Sequence, residues 1–145
     1  MLPPLNKDGY LPPGVHGATW DEICDRFGDN PYRDRLLVGL RAALVNLKAA
    51  GCTTVYVDGS FVTGKEIPGD FDGCWEGAGV DPAALDPVLL DFSNGRAAQK
   101  AKYLGELFPT SSGGGSTGQT FLEFFQSDQD GNPKGIIALD LGRLQ

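Results

Sequence analysis

The sequence predicts one α/β domain: a small mixed β-sheet with helices packed against it and a site on one edge. Three observations predict this. Leu36, Leu37, Leu40, Ala43, Leu44 and Leu47 recur at three- and four-residue spacing, the period of a helix with one apolar face. Short β-branched and apolar runs, such as Val55-Tyr56-Val57, stand between glycine- and aspartate-bearing turns, which is how strands are punctuated. With 145 residues, 41% of them hydrophobic, the chain has the length of one domain and enough apolar material for a core.

Residues 1–18, with Pro3, Pro4, Pro12, Pro13, Gly14 and Gly17, show little periodicity. They read as an extended N-terminal arm, lying on the body or partly disordered, ahead of a single domain over 19–145. The one histidine, His16, sits in this arm, and alone it cannot build a multi-histidine metal site. Thr19 and Glu22 have the spacing of a capping box, which starts a short helix to Phe27 that Gly28 ends. Asn30-Pro31 supplies a second helix start, a capping residue followed by proline at the first helical position. The helix it opens carries the leucine stripe and runs to about Ala50, where Gly51 stops it.

Cys52 to Asp58 is the first strand, and Gly59-Ser60 turns the backbone at its end. Pro68-Gly69 then delivers the chain into a second strand, Asp70 to Trp75. Residues two apart on a strand share a face. Asp70 and Asp72 therefore project side by side, and Phe71 goes to the opposite, buried face. Two carboxylates held together repel and raise each other's pKa unless a cation sits between them. Hard oxygen ligands at this spacing suit Mg²⁺, which takes one or two carboxylates and leaves room for phosphate oxygens.

Asp81 to Leu85 reads as a single helical turn, and Val88 to Phe92 as a third strand bearing Asp91. Asn94 is expected to cap a helix from Gly95 to Phe108, with Arg96 and Lys100 on one face near the carboxylates. Residues 110–117 form a glycine-serine loop suited to a mobile flap. Phe121, Leu122, Phe124 and Phe125 are expected to pack as core. Gly131-Asn132 is a turn, and Gly135 to Leu141 is the last strand, carrying Asp140.

The net charge of −7 argues against a general grip on duplex nucleic acid and disfavours an RNA-binding protein. The few basic residues are placed tellingly: Lys65, Arg96, Lys100 and Lys102 lie within or just after the acidic segments, a pattern suited to a nucleotide. No run of eighteen apolar residues occurs, so no membrane span is expected, and the N-terminus lacks the basic-then-apolar pattern of a secretory signal. Cys24, Cys52 and Cys74 are odd in number and widely spaced, which argues for reduced thiols in a cytoplasm and against a zinc site or disulfide framework.

Gly59-Ser60, nine intervening residues, then Asp70-x-Asp72 resembles the signature of the nucleotidyltransferase fold shared with DNA polymerase β, most closely its minimal single-domain bacterial members. The longer phrase Gly-Ser-Phe-Val-Thr-x-Lys-x-x-Pro-x-Asp-Phe-Asp-Gly, residues 59–73, also resembles a small bacterial family placed in that superfamily. The resemblance implies that Gly59 and Ser60 hold the phosphates of an NTP, with Thr63, Lys65, Arg96 and Lys100 assisting. It implies that Asp70 and Asp72 hold Mg²⁺ or Mn²⁺ and that a third carboxylate on a later strand completes the set. Asp91 is the natural third, and Asp140 the rival. Gly73-Cys74-Trp75 departs from the aliphatic run usual after the second aspartate, and Asp58 stands where relatives carry an apolar residue. The expected activity is transfer of an NMP from an NTP to an acceptor hydroxyl on protein or RNA, with Asp70, Asp72 and Asp91 catalytic. The alternative, from a different class, is a non-catalytic nucleotidyltransferase-like module, such as the antitoxin or regulatory partner in a two-gene bacterial system.

Overall fold

Both helix starts form by the capping chemistry their sequences encode. In a computed structural model, which describes residues 2–65, 68–110, 125–126, 131 and 133–144 and at Ser60 the backbone alone, helix α1 spans Trp20–Phe27. The Glu22 amide donates to Thr19 Oγ1 at 3.2 Å and the Thr19 amide to Glu22 Oε1 at 3.3 Å, so two orphan donors are satisfied reciprocally. Helix α2 spans Pro31–Ala49, with the Arg33 amide donating to Asn30 Oδ1 at 2.8 Å. Every leucine of the predicted stripe is buried, Leu40, Leu44 and Leu47 completely. Each such side chain contributes roughly 1.5–3 kcal/mol relative to exposure, so the stripe fixes α2 on the sheet.

Five strands, β1 (Gly14–Ala18), β2 (Thr54–Asp58), β3 (Phe71–Trp75), β4 (Gly105–Pro109) and β5 (Gly135–Asp140), form one mixed sheet in the order β1-β5-β2-β3-β4. The β1/β5 and β3/β4 pairs are parallel; β2 is antiparallel to both β5 and β3. Strand alternation sorts the two faces. Val55, Val57, Phe71, Trp75, Leu107, Ile137 and Leu139 enter the main core with the helices. Tyr56, Cys74, Phe108 and Ile136 belong to a smaller cluster with Phe125. Helix α3 (Ser93–Tyr103) covers the outer edge at β4, where buried Gln99 Oε1 accepts from the Leu107 amide at 2.9 Å and satisfies part of that edge.

Residues 2–18 lie on the body: Leu2 and Leu11 are buried, Arg26 donates to the Leu2 and Pro3 carbonyls at 2.9 and 2.7 Å, and residues 14–18 are strand β1. Three expectations are corrected. No strand forms at Val88–Phe92. Asp86-Pro87 is a helix-start pair, the Val88 amide donates to Asp86 Oδ1 at 3.0 Å, and Pro87–Leu90 winds as a 3₁₀ turn. The helix expected to reach Phe108 stops at Tyr103, where Leu104 turns left-handed at φ 66° and the chain becomes β4. Gly105 permits that switch, because a Cβ there would lie 2.5 Å from the Phe71 carbonyl oxygen. Nor does Asn94 cap α3; Asn94, Gly95 and Arg96 are themselves left-handed.

The predicted turn at Asp81–Leu85 is present, as a 3₁₀ turn over Pro82–Ala84. Apart from Thr110, the loop expected at 110–117 lies outside the described residues, as do Phe121, Leu122, Phe124 and Asn132. Phe125 is buried as expected. No helix among the described residues is long and apolar enough to cross a membrane.

Candidate functional site

The Asp70-Phe71-Asp72 stretch folds as strand alternation requires. Phe71 is fully buried in the main core, and Asp70 and Asp72 sit on the opposite face, each partly buried. A third acid joins them. Glu106 stands opposite Asp72 in the parallel pairing of β3 with β4. One carboxylate oxygen from each of Asp70, Asp72 and Glu106 lies within 4.8 Å of the other two. Asp91 is not part of this group: it closes the 3₁₀ turn after Leu90, and its Oδ1 accepts from the Ser93 amide at 3.0 Å and from the Ser93 hydroxyl at 2.5 Å. Those bonds hold the Asp91 carboxyl below its ordinary pKa. Asp140 is also elsewhere, exposed at the end of β5, where its Oδ1 accepts from the Gly142 amide at 2.9 Å.

Crowding and burial set the electrostatics. Desolvation, followed by the charges of Asp70, Glu106 and Asp58, pushes Asp72 up to about 7. Desolvation and then Glu106 also raise Asp70, against the pull of Lys100 and Lys65. Glu106 is closely attended: Arg96 Nε lies 2.6 Å from its Oε2 and Lys100 Nζ 3.5 Å from its Oε1. The sequence thus places Arg96 and Lys100 correctly beside the acids, and in this structure their direct partner is Glu106. Asp58, 2% exposed, is raised by desolvation, while Lys134 Nζ at 3.1 Å from its Oδ1 opposes that rise.

The Gly59 turn abuts the acids. Asp58 and Asp72 are partners in the β2/β3 register, and the chain then turns through Gly59 at φ +90°. A Cβ on Gly59 would lie 2.9 Å from Asp72 Oδ2 and 3.0 Å from the Asp72 amide nitrogen, so only glycine lets the backbone pass this close to the carboxylate. A 3₁₀ turn, Ser60–Val62, follows; the Ser60 side chain lies outside the described residues. Thr63 Oγ1 accepts from the Lys65 amide at 3.2 Å, closing the loop on itself, and Lys65 is exposed with its charge reaching Asp70.

Three contributors were not read from the sequence. Glu106 was hidden because its segment continues the helical pattern of residues 95–103; the signal for a strand was Gly105 before a short Leu107-Phe108 run closed by Pro109. Lys134, beside Asp58, and Arg33, buried in α2 beneath the 59–65 loop, carry no sequence signal that separates them from solvated cations.

The acidic group offers oxygen donors alone, with no sulfur or imidazole, and such a set fits Mg²⁺ or Mn²⁺. Fold and site together define a small α/β domain with a carboxylate cluster at the β3/β4 end of its sheet, flanked by a glycine turn and by basic side chains. The chain belongs to DUF6932, a family of unknown function, whose model matches residues 3–140. No curated protein and no solved structure matches it.

Proposed function

We propose that this chain is a Mg²⁺- or Mn²⁺-dependent nucleotidyltransferase of the DNA polymerase β-like fold, working in a cytoplasm and moving an NMP from an NTP to an acceptor hydroxyl on protein or RNA. One observation carries the reading: Asp70, Asp72 and Glu106 converge from adjacent strands beside the Gly59 turn. Glu106 takes the part expected of Asp91. The order of parts, a glycine turn after one strand, Asp-x-Asp on the next and a further acid on a later strand, is the order the resemblance leads one to expect.

In this reading Asp70, Asp72 and Glu106 hold the cations, which when bound supply Lewis acidity to the acceptor oxygen and charge compensation to departing pyrophosphate. Gly59 brings backbone close to the acids without a side chain in the way. Lys65, Lys100 and Arg96 bring positive charge to the mouth of the cluster, where an incoming triphosphate competes with Glu106 for the two α3 cations. Loss of one such stabilising donor costs on the order of 10²-fold in rate.

The alternative module reading has one observation in its favour: Arg96 and Lys100 are already paired with Glu106, as in a cluster closed for structural purposes. Labelling separates the two. Parent protein incubated with host extract, Mn²⁺ and radioactive NTPs should label an acceptor and release pyrophosphate, and Asp70→Asn and Glu106→Gln should not. A partner recovered equally by parent and Asp70→Asn/Asp72→Asn protein, and never labelled, would establish the module instead.

A further inference from the structure

The loop from Gly59 to Lys65 is held from inside by one side chain. Arg33 is 3% exposed, and its guanidinium donates to the carbonyls of Phe61 at 2.6 Å, Thr63 at 2.7 Å and Lys65 at 2.5 Å. Its Cζ caps a pair of touching aromatic rings, 5.8 Å from the Phe27 centroid and 5.5 Å from that of Phe61, the two centroids being 5.8 Å apart. A surface arginine bonds water; this one gives its shortest bonds to alternate carbonyls of a single loop, with a longer one at 3.4 Å to the Phe27 carbonyl at the end of α1. Asp29 Oδ1 lies 3.6 Å from Arg33 Nε but is largely exposed, so among the described residues the buried charge is met chiefly by backbone oxygen. Charge-assisted bonds of this kind are about twice as strong as neutral ones, and a planar fork fixes direction as well as distance.

The loop's amides are met too. Val62 N donates to Gly59 O at 3.2 Å, and Gly64 N to Gly9 O at 2.9 Å, so the N-terminal segment clamps the loop from outside. Lys65, the loop's one cation, is therefore anchored at its own carbonyl, and its field reaches Asp70.

We infer that Arg33 is a positioning residue for nucleotide binding: it sets the curvature of the 59–65 loop, which starts at Gly59 against Asp72 and ends in Lys65. This rests on the nucleotidyltransferase reading for its ligand, but not for its structural content. Arg33 is too buried to touch a triphosphate, so its effect is on phosphate affinity and not on the bare cation.

The test uses the full chain as parent, Arg33→Met, Arg33→Lys, Lys65→Met and the Arg33→Met/Lys65→Met double variant. Mn²⁺ alone and Mn²⁺ with ATP are titrated separately, and amide exchange is followed in peptides covering 59–65, β2 and β3. Arg33→Met should bind Mn²⁺ alone within about twofold of parent and Mn²⁺-ATP about tenfold or more weakly, and the double variant should be no weaker than Arg33→Met, since two groups acting as one unit are not additive. Arg33→Lys, which keeps the charge but lacks the fork, should fall between, and it serves if Arg33→Met does not fold. Exchange should quicken in 59–65 alone. Unchanged Mn²⁺-ATP affinity in a folded Arg33 variant, or fully additive losses, overturns the assignment. If parent binds neither Mn²⁺ nor ATP, the nucleotidyltransferase reading fails by itself. Exchange then decides on Arg33, and an unaltered 59–65 loop refutes its holding role.

Discussion

Asp72 should make the stability of this protein fall as pH rises. A carboxyl moved from an ordinary 3.8 to about 7 keeps its proton in the folded state over a range where the unfolded chain has lost it. Between about pH 4 and pH 7 the folded state therefore binds more protons, and unfolding free energy declines with each step upward. At about 1.4 kcal/mol per pH unit the full span is on the order of 4 kcal/mol, a large fraction of a domain's stability. Asp70 and Asp58 are raised as well and act in the same direction. Asp86, held at about 2 by Lys102 and Tyr103, has the opposite sign but acts only below about pH 4, so the window from pH 5 to pH 8 reports the cluster. The perturbation is Asp72→Asn, similar in size and unable to ionise. Urea unfolding in EDTA should show parent losing stability from pH 5 to pH 8. Asp72→Asn should match parent below about pH 4, exceed it by roughly 1–2 kcal/mol at pH 5 and by roughly 4 kcal/mol at pH 8. Adding Mn²⁺ at 100 times its Kd at pH 8 should return about 2.7 kcal/mol to parent and little to the variant. A parent whose stability rises or stays level over that range, or a variant that follows it, refutes the reasoning.

Further outcomes are expected from single substitutions. Glu106→Gln should abolish Mn²⁺ binding measured by paramagnetic resonance, while Asp91→Asn should leave it within about twofold, because Asp91 bonds Ser93 and not the cluster. Gly59→Ala should destabilise by roughly 1–3 kcal/mol in urea unfolding, from its positive φ together with a methyl 2.9 Å from Asp72 Oδ2. Gly73→Ala should cost at least about 3 kcal/mol or prevent folding, read as loss of the cooperative transition, since its Cβ would lie 2.4 Å from the Tyr56 carbonyl oxygen and 2.9 Å from Leu107.

Much of the frame was legible because it is locally encoded. Thr19-x-x-Glu22 and Asn30-Pro31 satisfy their own helix ends, the leucine stripe of α2 has one period, and Asp70-Phe71-Asp72 needs only strand alternation to send two acids one way and a ring the other. What failed was decided partly by tertiary contact and partly by local signals that a competing pattern masked. Leu104-Gly105 ends α3 because Gly105 must pass close to Phe71, and Gly105 and Pro109 were the local signals against a longer helix. Asp91 sits after an apolar run that resembles a strand, yet Asp86-Pro87 caps a turn there. That signal was in the sequence, and its twin at Asp81-Pro82 was read correctly. β1 was missed because its partner, β5, lies more than 100 residues away along the chain.

The charges on this face are unevenly compensated. Folded proteins meet buried acids with partners, and this sheet does so for Asp58 with Lys134 and for Glu106 with Arg96 and Lys100. Asp70 and Asp72 have no ion pair among the described residues, although Asp72 is the more desolvated of the two and has the larger rise. A sheet that needed only stability would place an amide or an apolar residue at position 72, and the stability difference expected for Asp72→Asn at pH 8 measures how much it forgoes by keeping the acid. In the proposed reading, a divalent cation entering the cluster would offset both the desolvation of Asp72 and its repulsion by Asp70 and Glu106. Mn²⁺ affinity should then climb with pH as Asp72 ionises and level off above about pH 7, and a flat affinity below that pH would refute the reading.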